Sequence, residues 1–369
     1  MFHIGAMAQE HHIEIERRRG RGAVSNRAGR FEAMQREDSW DGWDIPEARP
    51  RFATELREER AGRVITRNTS PDVPFDRSLN IYRGCEHGCV YCFARPTHAF
   101  LGLSPGLDFE TRLVAKVNAP EALARELSAK GYRPAPLAIG TNTDPYQPCE
   151  REAGLMRACL KVLRDFRHPV AIVTKGTLIE RDLDILGPMA AEGLVRVGIS
   201  VTTLRDDVAR SMEPRVPRPA RRLEVIRRLT QAGVPVRVMA APIVPGLTDP
   251  ELEAILAAGA EAGARSASWI MLRLPREVSD LVQEWLAEDF PNAAGRVMAR
   301  LREMHGGKDY AADWHQRMRG SGPYAHLIAR RFDVAVRRLG LDRELPELRS
   351  DLFNVPGRGQ QLDMFSDLS

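Results

Sequence analysis

Three of the chain's five cysteines stand close together in the segment RGCEHGCVYCFARP, as Cys85, Cys89 and Cys92 in a C-x3-C-x2-C spacing. Thiolates are soft, readily deprotonated ligands that select zinc, copper(I) or iron-sulfur clusters. Three is an odd number for disulfides and one short of a closed zinc site, which takes four protein ligands, often as two separated pairs. No second C-x2-C occurs in the sequence, so Cys149, Cys159, His87 or His98 would have to complete a zinc site. A cubane iron-sulfur cluster ordinarily takes one thiolate per iron. Three thiolates therefore leave one iron open, and an open metal position is where a substrate or cofactor binds.

Such a loop needs a frame, and the chain alternates short β-branched runs with helical patterns, the signature of βα units around a parallel sheet. Six runs read as strands: SLNIYRG (78–84), PLAIGTNTD (136–144), PVAIVTKG (169–176), LVRVGISVTT (194–203), PVRVMAAPIVPG (235–246) and ASWIMLRLP (267–275). Between them, segments such as RRLEVIRRLTQAG and DPELEAILAAGAEAG carry helical period and end on Gly, as a C-cap would. The pattern predicts an α/β fold, a partial (βα)6 TIM-type barrel over 70–280, with a helical appendage over 281–341. In such barrels the chemistry sits at the C-terminal ends of the strands. Cys85, the run Thr141 to Asp144, Thr174, Lys175, Ser200, Thr202 and Thr203 all fall there. In the helical lid, His305, Asp313, Trp314 and His315 are the polar and aromatic candidates for substrate contact.

Hydrophobic content of 43% and charged content of 28% are those of a globular chain, and no apolar run approaches the length of a membrane span. The N-terminal segment has no apolar stretch behind its charges, which predicts no secretory signal and a reducing, cytoplasmic location. Residues 1–60 are rich in charge and poor in aliphatics and are expected to form a disordered arm, whose basic run Arg17 to Arg21 could touch phosphates. The tail 342–369 is rich in Pro, Gly and charge and is expected to be flexible. Net charge is +4, compatible with a nucleic-acid partner.

The run from Cys85 to Cys92, with aromatic Tyr91 before the last cysteine, resembles the C-x3-C-x-aromatic-C motif of the radical S-adenosyl-L-methionine (SAM) superfamily. The resemblance implies a partial (βα)6 barrel and a 4Fe-4S cluster whose open iron is chelated by the amino and carboxylate groups of SAM. It implies reductive cleavage of SAM to methionine and a 5′-deoxyadenosyl radical, fed by a one-electron donor of flavodoxin or ferredoxin type. Within the barrel, TNTD (141–144), IVTKG (172–176), VGISV (197–201), MEPR (212–215) and QAGVPVRVMAAPIVPG (231–246) resemble segments of the spore photoproduct lyase branch. By that similarity Thr143, Lys175 and Ser200 match positions that hold SAM. Arg222, with Arg218 and Arg221 beside it, is a candidate to grip the SAM carboxylate or a phosphate. The branch's hydrogen-donor cysteine falls at Thr141, so its thymine-dimer repair is not implied; Cys149 is the candidate replacement thiol.

Near the C-terminus, QLDMF resembles the pentapeptide by which bacterial DNA repair and replication proteins dock on the sliding clamp. Its candidate contacts are Gln361, Leu362, Met364 and Phe365. The main reading is therefore a radical SAM enzyme with DNA and the sliding clamp as partners. The alternative is a zinc- or cluster-stabilised, nucleic-acid-associated binding module without SAM chemistry.

Overall fold

Continuous apolar runs, such as VAIV (170–173), belong in a sheet covered on both faces. A computed structural model of the chain describes residues 20–32 and 52–357. Its strands are β1 (Glu55–Glu59), β2 (Ile65–Arg67), β3 (Arg77–Leu79), β4 (Tyr82–Arg83), β5 (Arg112–Lys116), β6 (Leu137–Ile139), β7 (Val170–Thr174), β8 (Val195–Ser200), β9 (Val236–Ile243) and β10 (Ser266–Met271). Strands β3, β6, β7, β8, β9 and β10 run parallel in that order, and β2 closes the β3 edge antiparallel. All six expected runs thus enter one sheet, in sequence order, as a (βα)6 barrel requires.

The covering helices are α1 (Ala119–Leu127), α2 (Leu155–Asp165), α3 (Leu183–Ala191), α4 (Pro219–Gln231), α5 (Leu252–Glu261) and α6 (Glu277–Asp289). In α2 the buried residues Leu155, Met156, Cys159, Leu160 and Leu163 recur at helical spacing and form one apolar stripe. In α5, a Cβ at Gly259 would lie 2.7 Å from Val238, so the absent side chain lets the helix backbone settle on β9. Two further helices, α7 (Pro291–Met304) and α8 (Gly322–Leu339), follow. Helix α8 docks on α5 through Arg331 and Glu253 at 2.6 Å, while Phe332 packs on Trp269 of β10. Among the described residues no helix is long and apolar enough to cross a membrane.

Three expectations change. SLNIYRG is not one strand: β3 ends at Leu79, and Tyr82–Arg83 pair instead with β5 in a separate sheet of order β1-β5-β4. Lys116 draws the chain across, its Nζ donating to the Asn80 carbonyl at 2.8 Å and its amide to the Ile81 carbonyl at 3.0 Å. The arm expected to be disordered over 1–60 is held where it is described. The amides of Gly22 and Ala23 donate to the buried Glu110 carboxylate at 2.9 and 2.8 Å, and β1 pairs with β5. The tail is likewise held over 342–357: Asp342 bridges to Ser266, Arg349 N–H donates to the Gly193 carbonyl, and Phe353 packs edge-on to His168 at 5.6 Å. Arg17, Arg18, Arg19 and the QLDMF residues lie outside the described residues.

Burial drives the His168 pKa down from 6.5 to about 4, and that of His98 likewise to about 4. Each ring is therefore neutral when folded, and between pH 6.5 and 4 only the unfolded chain takes up the proton. By linkage this contribution is complete above pH 6.5 and is lost as pH falls toward 4. The melting temperature should fall over that range, and His168→Gln should flatten part of the fall; superimposable pH profiles would contradict the assignment.

Candidate metal and cofactor site

The cysteine loop leaves β4 through Gly84, whose φ of +76° turns the chain toward the barrel mouth. Cys85, His87, Cys89, Tyr91 and Cys92 then line a cavity of about 180 Å³. The opposite wall comes from strand ends: Thr141 and Thr143 after β6, Thr174 and Lys175 at β7, Ser200 at β8, Met239 and Ala241 on β9, and Met271 on β10. The structure thus brings Cys85, Cys89, Cys92, Thr143, Lys175 and Ser200 to one cavity, as the strand-end argument expects.

A buried charge network fixes that wall. Glu213 accepts from Thr202 Oγ1 at 2.9 Å, from Arg222 at 2.6 Å and from the Tyr91 hydroxyl. Burial alone would raise the Glu213 carboxyl, but Arg222 and Lys175 outweigh it and hold it low. Lys175 Nζ lies 5.7 Å from the Tyr91 ring centroid. Burial would lower the Lys175 ammonium, yet Cys89, Glu213 and Asp144 together raise it, so a cation stands at the cavity. Asp144 accepts from Thr174 Oγ1 at 2.6 Å and from the Lys175 amide at 2.8 Å, and it pairs with His87 at 3.3 Å. Burial opposes ionisation of Asp144, but His87 and these donors bring its carboxyl down to about 2.

The loop carrying the thiols is tied on two sides. The MEPR segment (212–215) is a clasp. Val90 N–H donates to the Met212 carbonyl, Glu213 binds Tyr91, and Arg215 pairs with the buried Glu86 at 3.3 Å. On the other side Arg95, fully buried, donates to the carbonyls of Cys89 (2.9 Å), Gly88 (3.2 Å), Pro105 (3.1 Å) and Gly106 (2.8 Å), and to Glu110 (2.5 Å). Gly22 runs so close that a Cβ there would overlap the Gly88 oxygen. Arg95, Glu110 and Gln147, which accepts from Glu86 N–H at 2.8 Å, were not legible as site residues. Only ARP directly after the motif hinted at Arg95.

The donor set fits a polynuclear cluster. Among the described residues no three His, Cys, Asp or Glu side chains converge closely enough to hold a single metal ion. In a cubane each thiolate serves its own iron, and three free thiols around one cavity, Cys85 and Cys89 buried and Cys92 half-buried, match that requirement. Burial pushes the Cys85 thiol well up, with Asp144, Cys89 and Cys92 adding to it, and pushes Cys89 up to about 12. Cys159 is buried in α2, His98 Nε2 bonds the Arg112 carbonyl at 2.9 Å, and neither lines the cavity. Cys159 and His98 are thereby misplaced as a fourth zinc ligand, whereas His87, the other imidazole candidate, does line the cavity and pairs there with Asp144 at 3.3 Å.

Other expectations are also corrected. Arg222 does not face the cavity; its guanidinium is spent on Glu213, the Ser200 carbonyl (3.0 Å) and the Pro217 carbonyl (2.9 Å), so it positions Ser200 and Glu213. Arg221 pairs with Glu180 and Arg218 with Asp206. Cys149 caps the short helix Glu150–Ala153 outside the cavity lining, its thiol pushed up to about 12 by burial. His305, Asp313, Trp314 and His315 do not line the cavity; His305 packs on Tyr310 and Trp314 lies under Arg317.

Removing Arg95 would leave the buried Glu110 carboxylate without its ion-pair partner, held only by the Gly22 and Ala23 amides, and would remove the Arg95 bonds to the Gly88 and Cys89 carbonyls. Arg95→Met should cost about 3–5 kcal/mol by urea denaturation and speed alkylation of Cys89 in the native chain. A loss below about 1 kcal/mol with unchanged alkylation would contradict this role.

A family model described as the radical SAM superfamily matches residues 79–258. An uncharacterised protein of Mycobacterium tuberculosis is 38% identical over 235 residues, covering 63% of this chain and 68% of that protein. An uncharacterised protein of Methanocaldococcus jannaschii is 27% identical over 174 residues, covering 47% of this chain and 62% of its own length. Among solved structures, a spore photoproduct lyase complexed with dinucleoside spore photoproduct aligns at 14% identity with a TM-score of 0.46, over 63% of this chain and 66% of the lyase. That structural likeness is weak. The family match spans the cysteine loop and the strands from β3 to β9, and the chain belongs to the radical SAM superfamily.

Proposed function

We propose that the chain carries a 4Fe-4S cluster on Cys85, Cys89 and Cys92 and cleaves SAM reductively to act on a nucleic-acid-related substrate. The observation that carries this reading is the convergence of three free thiols with a cationic Lys175 and the hydroxyls of Ser200 and Thr143 on one cavity. When bound, such a cluster supplies one electron to SAM, releasing methionine and a 5′-deoxyadenosyl radical. The chain's own groups do the rest. Lys175 offers a desolvated cation to the SAM carboxylate, a charge-assisted contact stronger than a neutral one. Ser200, whose carbonyl is held by Arg222, presents its hydroxyl to the same ligand; Thr143 donates to the Tyr82 carbonyl at 3.1 Å and keeps its oxygen free to accept. Apolar Met239, Pro242 and Ile270 on the far wall exclude water from a reactive radical.

The substrate step differs from that of the lyase branch. Among the described residues no thiol besides Cys85, Cys89 and Cys92 lines the cavity, and Thr141 stands where that branch places its donor cysteine. A threonine O–H is a far poorer hydrogen-atom donor than a thiol S–H. At the rim, Phe93 is 43% exposed, with the Arg273 guanidinium 4.8 Å above its ring. An aromatic face paired with a guanidinium is a platform on which a nucleobase stacks. All five cysteines are free, in keeping with a reducing cytoplasm that also supplies a flavodoxin or ferredoxin type electron donor.

Anaerobically reconstituted protein with dithionite and SAM should yield 5′-deoxyadenosine. Cys89→Ala should abolish the product, whereas Lys175→Met should keep its cluster and weaken SAM binding about 10- to 100-fold. Product from Cys89→Ala, or zinc without labile sulfide in the native protein, would favour the binding-module alternative. For the proposed clamp contact, deletion of 361–369 should abolish binding to purified sliding clamp; unchanged affinity would remove that partner.

A further inference from the structure

Below the cysteine cavity the barrel is not packed. The inward positions of a closed barrel are ordinarily filled by bulky branched residues. Here they include Ala138, Ala171, Gly198 and Ser268, which leave a cavity of about 340 Å³. It shares Thr141, Val173, Met239 and Ile270 with the cavity above. Into it project Arg196 of β8 and Arg237 of β9. The register sets Arg237 beside Gly198, so the two arginines are diagonal neighbours on one face of adjacent strands.

Both arginines are half-buried, and charged groups withdrawn from water are normally paired with an opposite charge. Arg237 Nε has a bond to Ser266 Oγ at 3.3 Å, and among the described residues no carboxylate forms an ion pair with either guanidinium. Burial and then the Arg196 charge pull the Arg237 pKa down, with no opposing acid. Among the described residues the one acidic side chain on this wall, Asp72, is taken by Arg317 at 2.6 Å and by the His315 amide at 2.7 Å. Ser268 Oγ is buried there without a hydrogen-bond partner. A third cation, Arg319, lies over the Trp269 ring at 5.1 Å on the same wall. Uncompensated guanidiniums and an orphan hydroxyl around one void describe an anion site, and the donor surplus suits an oxygen-rich, multiply charged anion.

We propose that Arg196 and Arg237 bind the phosphate group of a nucleotide-sized ligand that lies along the lumen toward Ser200. Arg196 and Ser200 face the same way on β8, four residues and so about 13 Å apart, a span one nucleotide can bridge. Only the orientation of the ligand rests on reading the upper cavity as the SAM site; the anion site stands on the lower wall alone.

The full chain is melted anaerobically at matched ionic strength with inorganic pyrophosphate, thymidine 5′-monophosphate, acetate, or a single strand of about ten nucleotides. Pyrophosphate and the mononucleotide should each raise the melting temperature by about 3 °C or more at saturation, and acetate should not. The double variant Arg196→Gln, Arg237→Gln should lose the shift and, relieved of repulsion, melt no lower than wild type. Against misfolding of that variant, pyrophosphate should also slow phenylglyoxal modification of Arg196 and Arg237 in the wild-type chain, read by mass spectrometry. No shift and no protection, or a shift that survives in the double variant, would overturn the site. An equal response to acetate would overturn the phosphate, and a response to the oligonucleotide alone would overturn the nucleotide-sized ligand. None of these readouts uses SAM: a chain that forms 5′-deoxyadenosine without the shift loses only the anion site, and the reverse loses only the radical reading.

Discussion

A guanidinium without access to water must spend its donors on protein, and Arg95 spends all of them on the backbone around the cysteines and on one carboxylate. Glu110 passes that constraint outward by accepting the amides of Gly22 and Ala23, so the N-terminal segment is fastened to the same point. Arg21 closes the joint by donating to the Glu110 carbonyl at 2.9 Å. A thiol loop made of turns has no ladder of its own, and neighbours must satisfy its carbonyls. Together with the MEPR clasp, the Arg95 pair holds the three sulfurs facing the strand ends before any metal is bound.

The barrel supplies the complementary half. Each strand delivers one face to the lumen, so a single strand, β8, carries a guanidinium at its base, a bare glycine at mid-height and a hydroxyl at its mouth. A Cβ at Gly198 would lie 2.7 Å from the Met239 sulfur, so that glycine accommodates the wall that both cavities share. Two compartments with different chemistry, one thiol-lined with a lysine and one arginine-lined, therefore meet at a common boundary.

The cysteine motif and six strands were legible because their signals are local: fixed spacing, β-branched runs and closing glycines. Strand β1 was not, since ELREE is charged and exposed and becomes a strand only through pairing with distant β5. Arg222 reads in sequence as a candidate anion contact; burial against Glu213 is decided by tertiary packing and changes it from ligand contact to support. The arginines of VRVGIS and VRVMAA alternate with valines, which suggests strands with a wet outer face. Helices cover the valines, so the arginine-bearing face is the one that lines the lumen. The ordered tail was hidden for a similar reason, because one aromatic contact, Phe353 on His168, outweighs a composition that looks flexible.

The central claim is that the fourth position at Cys85, Cys89 and Cys92 belongs to SAM and not to a side chain. Low-temperature electron paramagnetic resonance of the anaerobically reconstituted, dithionite-reduced protein tests it directly. The account predicts a reduced 4Fe-4S signal whose g-values shift when SAM is added. A signal that SAM leaves unchanged, or no iron-sulfur signal at all, would contradict it.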